Sequence, residues 1–190
     1  EEQRLFQRLA VFAGGWTLEA AEVVCGAGNA SGADVLASLA ALVEHSLVSS
    51  APGHEEPRFA MLETIHEFAM ERLEASGEVA ELRDRHAAWC VELAESATAA
   101  LTGHGQAVWL ARLEAEHNNL RAALAWASEA EDLAAGLRLA GLLWRFWHIR
   151  GYVGEGRRWL EELLVKTSRD GAVVDPAIRA RALVGAGVLA

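Results

Sequence analysis

Cysteine is almost missing from this chain. Cys25 and Cys90 are the only two, which excludes a disulfide scaffold and any cysteine-rich zinc site and fits a reducing, cytoplasmic setting. No uninterrupted apolar run reaches 18 residues, so no membrane span is expected, and nothing at the start reads as a signal peptide. Lys166 is the only lysine, and Leu163, Leu164 and Val165 precede it. A phosphate-binding loop needs a Gly-rich turn there, so this stretch holds none. No serine stands with glycines two positions either side, as a nucleophile elbow requires. With no nucleophile–base pair, the chain does not read as an enzyme.

Basic residues are missing from one region in particular. From Leu9 through Pro57 there is neither Lys nor Arg. The chain carries 27 acids and 17 bases, a net charge of −10. Residues 1–82 hold 14 acids and 4 bases, and residues 83–190 hold 13 of each. The whole surplus therefore lies in the first half. Cations release the counterions that drive nucleic-acid binding, so that half is a poor DNA binder, and an anionic membrane surface is disfavoured too.

What is present is globular. Of the 190 residues, 52% are apolar and 23% charged, enough for a core without staples. Leu5, Phe6, Leu9 and Phe12 recur at helical spacing until Gly14 and Gly15. Thr17 suits an N-cap, although Ala20 stands where a capping box needs Glu or Gln. Leu18, Ala21, Val24 and Cys25 continue as a second helix, and residues 26–33 form a small-residue loop. Ser31 or Asp34 could cap a third helix, with Val35, Leu36, Leu39, Leu42 and Val43 as one apolar stripe. The period then changes: residues 47–51 and 58–62 read as two strands around the turn 52–57. Three small helices and a β-hairpin make the layout of a winged helix.

From Glu63 the pattern is helical, in segments 63–76, 79–101, 106–129, 132–149, 153–168 and 176–190. Leu110, Leu113, His117, Leu120, Leu124 and Ala127 form a stripe suited to helix-on-helix packing. The strings 120–126, 137–144 and 178–185 resemble one another weakly, without a strict 34-residue period. The fold expected is mainly α: a winged-helix domain over 1–77, then a helical-repeat superhelix, tetratricopeptide-like, over 78–190. The chain starts at Glu1 without Met and stops inside an apolar helical pattern, so it reads as an excised segment whose repeat domain is cut short at its C-terminus.

Few residues suggest chemistry. His66-Glu67 opens like a zinc-protease helix motif, but Met70 occupies the second ligand position. His86 and His117 fall on apolar stripes and read as core histidines, and Cys25 and Cys90 as inert core groups. Asn118 and Asn119 are awkward in mid-helix and suggest a lock between helices. The segment 144–159 interleaves Trp144, Trp147, Tyr152 and Trp159 with Arg145, Arg150, Arg157 and Arg158. Basic plus aromatic suits a groove for an acidic peptide, a nucleotide or RNA; tryptophans at helical spacing more often form a core, with the arginines outside. Trp144, Trp147, His148, Arg150, Tyr152, Arg157 and Arg158 are the partner-binding candidates.

Several long strings carry a resemblance: residues 5–25, 39–48, 58–73, 85–95, 109–126 and 146–164. Together they resemble bacterial transcriptional regulators of the STAND class, signal-transduction ATPases of LuxR or SARP type containing an NB-ARC module. The resemblance implies a P-loop ATPase module upstream that binds ATP or ADP with Mg, and no cofactor in this segment. It implies a winged helix that packs on that module and holds an ADP-bound resting state, followed by a helical sensor arm. Related proteins carry a Met-His-Asp motif whose His touches the nucleotide. Met61-Leu62-Glu63 corresponds by position, and Leu62 has no side-chain hydrogen bond to offer, which leaves the turn for packing. The function expected is a non-catalytic regulatory segment of such a regulator. Its partners would be the upstream ATPase module and an unknown protein or small-molecule effector, without nucleic-acid contact by this winged helix. The alternative is a stand-alone helical-repeat adaptor that binds peptides or proteins.

Overall fold

A computed structural model gives the fold and describes residues 1–26, 32–51, 57–169 and 171–190. The chain divides into two compact units, Glu1–Trp89 and Cys90–Ala190.

The first unit opens with α1 (Glu2–Leu9), whose Leu5, Phe6 and Leu9 share one buried face. Gly14, at φ 100°, turns the chain into β1 (Gly15–Thr17). Thr17 caps α2 (Leu18–Cys25), its Oγ1 accepting from the Ala20 amide at 3.2 Å. One orphan donor of the first turn is thereby satisfied without a capping box. In α3 (Gly32–Glu44) Val35, Leu39 and Leu42 are buried, whereas Leu36, expected on the same stripe, is 50% exposed. Asp34 lies in the first turn of α3 instead of capping it. The other cap candidate, Ser31, and residues 27–31 of the expected loop lie outside the described residues.

Strands β2 (Ser49–Ala51) and β3 (Arg58–Ala60) pair antiparallel with Ser50 opposite Phe59, and residues 52–56 of the expected turn lie outside the described residues. β1 pairs with the other edge of β3, Trp16 opposite Phe59. The expected hairpin is thus part of a three-stranded sheet. Three residues with no alternation gave no period to read, and the pairing spans more than 40 residues of chain. α4 (Glu63–Ser76) stops at Gly77, whose φ of 75° suits glycine. The buried face of the unit gathers round Phe12 and Trp16, both 0% exposed and stacked at 5.6 Å. His86 and Trp89 meet the Phe12 ring edge-on at 5.4 and 6.1 Å. Each such fully buried ring is worth about 1.5–3 kcal/mol over an exposed one.

The boundary between the units falls inside α5 (Val79–Ala100). The second unit continues with α6 (Gln106–Ala115), α7 (His117–Glu129), α8 (Leu133–Arg150), α9 (Val153–Arg169) and α10 (Pro176–Val188). The single helix expected over 106–129 is two. Glu116, only 2% exposed, accepts from Asn119 Nδ2 at 2.6 Å, and the helix breaks there. The apolar stripe crosses the break intact, with Leu110, Leu113, His117, Leu120, Leu124 and Ala127 all buried. The Asn119 side chain therefore serves this local turn, and Asn118 is exposed. The Asn119 carbonyl also reaches another helix, accepting from Cys90 Sγ at 3.6 Å.

Helix α8 is the centre of the unit and packs against α7, α9 and α10. Small residues permit the close approach. A Cβ on Gly156 would lie 2.5 Å from the Trp147 ring, and one on Gly185 would lie 2.7 Å from Trp144 Cβ. Gly151, at φ 82°, ends α8 and leads through Tyr152 into α9. Asp175 caps α10 by accepting from the Ala177 amide at 2.7 Å, with Pro176 at the first helical position. Among the described residues no helix is long and apolar enough to cross a membrane.

Candidate functional site

Two surfaces carry the residues singled out in the sequence. In the first unit it is the exposed side of α3, the helix that a DNA-binding winged helix lays in the major groove. Leu36, Ala37, Ala40 and Glu44 face solvent there. None of them can donate a hydrogen bond to a base edge or a phosphate.

The bases of the first half are committed elsewhere. Arg8 donates through Nε and Nη2 to Glu78 at 2.9 and 3.1 Å, and through Nη1 to Cys25 O at 2.7 Å. Arg4 joins the same carboxylate at 2.6 Å. These hydrogen bonds, Arg8 first and then Arg4, lower the Glu78 pKa to about 2. Arg58 donates to Gly15 O at 3.1 Å and Arg72 lies 4.8 Å over the Phe68 ring. Arg85, on α5, pairs with Glu81. The unit thus presents its acids to solvent while its cations hold it together. His66 is also structural: its Nε2 lies 2.9 Å from Ala10 O and 3.1 Å from Phe12 O, so the ring N–H serves two free carbonyls after α1.

Met61, Leu62 and Glu63, the nucleotide-sensor-like position, form the turn into α4. Leu62 is the N-cap without a side-chain bond and is 67% exposed; Met61 is half-buried and Glu63 exposed.

The second surface is the segment 144–159. The structure splits its members. Trp147 is 1% exposed, its ring against Gly156 and its indole N–H without an acceptor among the described residues, so it is core and cannot touch a partner. Trp144 is half-buried beneath Arg145, whose guanidinium sits 4.6 Å over the ring. The Tyr152 ring lies tilted against His117 at 4.3 Å and its hydroxyl donates to Glu114, a bond that raises the phenol's pKa. Arg150 pairs with the same Glu114 at 3.3 Å. Glu155 accepts from His117 Nε2 at 3.1 Å and Arg121 Nε at 2.9 Å. Burial pushes the Glu155 carboxyl up, but Arg121 and His117 together hold it below the ordinary range. His117 is thus a core histidine with a satisfied ring nitrogen.

What remains accessible is His148 and the outer face of α9. Arg157 and Arg158 line an open depression there with Glu161, Val165, Lys166 and Arg169. Arg157 pairs with Glu161 at 2.7 Å and Arg158 lies 5.5 Å from the Trp159 ring. Lys166 and Arg169 were not among the sequence candidates, although they follow Arg158 and Val165 on the same face. Cys25 and Cys90 are buried in their units; burial pushes the Cys25 thiol up to about 12 and Cys90 higher than ordinary as well. Among the described residues no group of three or more His, Cys, Asp or Glu side chains is placed to hold a metal ion.

Comparison with known proteins bears on the first surface. Residues 1–74 match the family described as winged helix-turn-helix domain. Proteins of Mycobacterium bovis and of two strains of Mycobacterium tuberculosis, which carry the provisional name HTH-type transcriptional regulator, are each 38% identical to the chain over 189 residues. The match covers 99% of the chain, but the chain spans only 21% of the length of these relatives. No solved structure matches the chain significantly. The chain is mainly helical, carries an N-terminal winged helix-turn-helix domain, and is similar along nearly its whole length to a part of proteins provisionally named HTH-type transcriptional regulators.

Proposed function

We propose that the chain is the non-catalytic regulatory segment of a STAND-type transcriptional regulator. The winged helix would pack on an upstream nucleotide-binding module in the same polypeptide, and the helical unit would offer its surface to a protein or small-molecule effector. One observation carries this reading: the exposed face of α3 has no cation, and Arg4, Arg8, Arg58 and Arg72 each have a partner elsewhere in the unit. Without phosphate contacts a groove-binding helix has little to hold it on DNA. The exposed apolar residues Leu36, Leu62 and Phe68 among many carboxylates suit a protein surface better. Function would then follow from a population shift, the winged helix favouring a closed module and an effector on the helical unit favouring an open one.

A second reading, direct DNA contact by the winged helix, is favoured by the matched family and by the relatives' names. A measurement on the protein extended upstream through its nucleotide-binding module tests the first reading. If the winged helix packs there, Leu62→Glu should speed release of bound nucleotide while the 190-residue chain alone hydrolyses no ATP. An ATPase rate in the isolated chain, or unchanged release in the variant, overturns the reading.

A further inference from the structure

A second concavity lies away from the segment 144–159. Glu95 on α5, Arg138 and Leu142 on α8, and Asp175, Ile178 and Arg181 at the start of α10 line a cleft of about 340 Å³. Arg138 and Leu142 stand one turn apart on α8, as do Ile178 and Arg181 on α10, so each helix offers one apolar and one cationic group to the same space.

The polar groups of this cleft are not equally free. Arg138 Nε donates to Glu95 at 2.8 Å, which fixes that guanidinium and occupies that carboxylate. Asp175 Oδ1 is taken by the Ala177 amide. Arg181 is exposed and forms no ion pair among the described residues. Leu142, 5% exposed, and the half-buried Ile178 supply an apolar floor. The cleft therefore holds one uncommitted planar donor fork beside an apolar surface, while Glu95 is paired with Arg138 and one oxygen of Asp175 caps α10. A guanidinium in that state matches a carboxylate, which it can grip through two parallel hydrogen bonds. The volume is near the small end for ligand sites and admits about ten non-hydrogen atoms at liquid-like density.

We propose that this cleft binds a small carboxylate with a branched apolar body, the carboxylate on Arg181 and the body on Leu142 and Ile178. A free small molecule is the occupant, and the site is independent of whether the winged helix packs on a nucleotide-binding module. Ligands of this size bind weakly, at about high-micromolar to millimolar dissociation constants.

The test is calorimetric titration of the 190-residue chain with 4-methylpentanoate. Two controls each lack one half of the match: 3-methylbutylamine has no carboxylate and acetate has no apolar body. Saturable binding of 4-methylpentanoate is expected, with each control at least about tenfold weaker. Arg181 is exposed, so Arg181→Glu should fold with an unchanged melting temperature and weaken binding at least about tenfold. No saturation up to about 20 mM, equal binding by either control, or undiminished binding by a folded Arg181→Glu variant would each overturn the proposal.

Discussion

Replacing Glu78 by Gln should destabilise the first unit by about 2 kcal/mol at pH 7, and the loss should disappear in acid. Glu78 sits between α4 and α5 and receives Arg4 and Arg8 from α1, while Arg8 also reaches the end of α2 through Cys25 O. One carboxylate thus joins three parts of the unit. Its pKa of about 2, against an ordinary 4.5, corresponds to roughly 3 kcal/mol if taken in full. The pair is partly wet, with the Glu78 and Arg4 side chains 25% and 63% exposed, so solvent screening brings this to about 2 kcal/mol. Arg8, only 9% exposed, would keep a buried charge facing an amide. Because the folded pKa is depressed, the stabilisation is present above about pH 4.5 and is lost as pH falls through about 2. Urea unfolding followed by tryptophan fluorescence, at pH 7 and at steps down to about pH 2.5, reads both the gap and its decline. A variant within about 0.5 kcal/mol of the parent at pH 7, or a gap that fails to shrink by half between pH 4.5 and 2.5, would refute the reasoning.

Other outcomes follow from the packing. Gly156→Ala should cost about 1–3 kcal/mol or more, since its methyl would meet the Trp147 ring at 2.5 Å and Leu189 Cδ1 at 2.8 Å; thermal unfolding checks it. Trp147→Ala should cost about 3–5 kcal/mol, whereas Arg157→Glu with Arg158→Glu, both on the exposed face of α9, should stay within about 1 kcal/mol. A similar cost for the two would mean that the division of 144–159 into core and surface is wrong. Cys25 and Cys90 should resist thiol reagents in the native protein and react only on unfolding, because both are buried with raised pKa values; timed labelling in and out of urea measures this. Tyr152→Phe should leave Glu114 one donor short and lower the thermal midpoint slightly without changing the fold, which thermal unfolding checks.

Much of the helical framework is legible in the sequence because helix signals are local. Thr17, Gly77, Gly151 and Pro176 mark ends that the structure uses. The errors fall where a local pattern is blind to partners. The stripe through Leu113, His117 and Leu120 continues across the break at Glu116, so periodicity joined two helices. The Asn118-Asn119 pair sits at that break, where Asn119 Nδ2 donates to Glu116 within the turn while its carbonyl accepts from Cys90 on α5. β1 is three residues whose partner lies far along the chain. For the site, composition located the missing cations, but only coordinates show that Arg4 and Arg8 share Glu78 and that Arg58 turns to Gly15 O. Trp147 and Arg157 looked alike as members of one basic aromatic string, and burial separates them. The cleft of Glu95, Arg138 and Arg181 draws on three helices, and no linear motif could announce it.

We propose above all that this winged helix, with no cation on the exposed face of α3, does not bind DNA. Fluorescence anisotropy of a labelled mixed-sequence duplex, titrated with the 190-residue chain from about 50 to 200 mM salt, tests it most directly. The account predicts no binding up to about 100 μM chain and no dependence on salt. A dissociation constant below about 1 μM at the low-salt end, weakening steeply as salt rises, would contradict it.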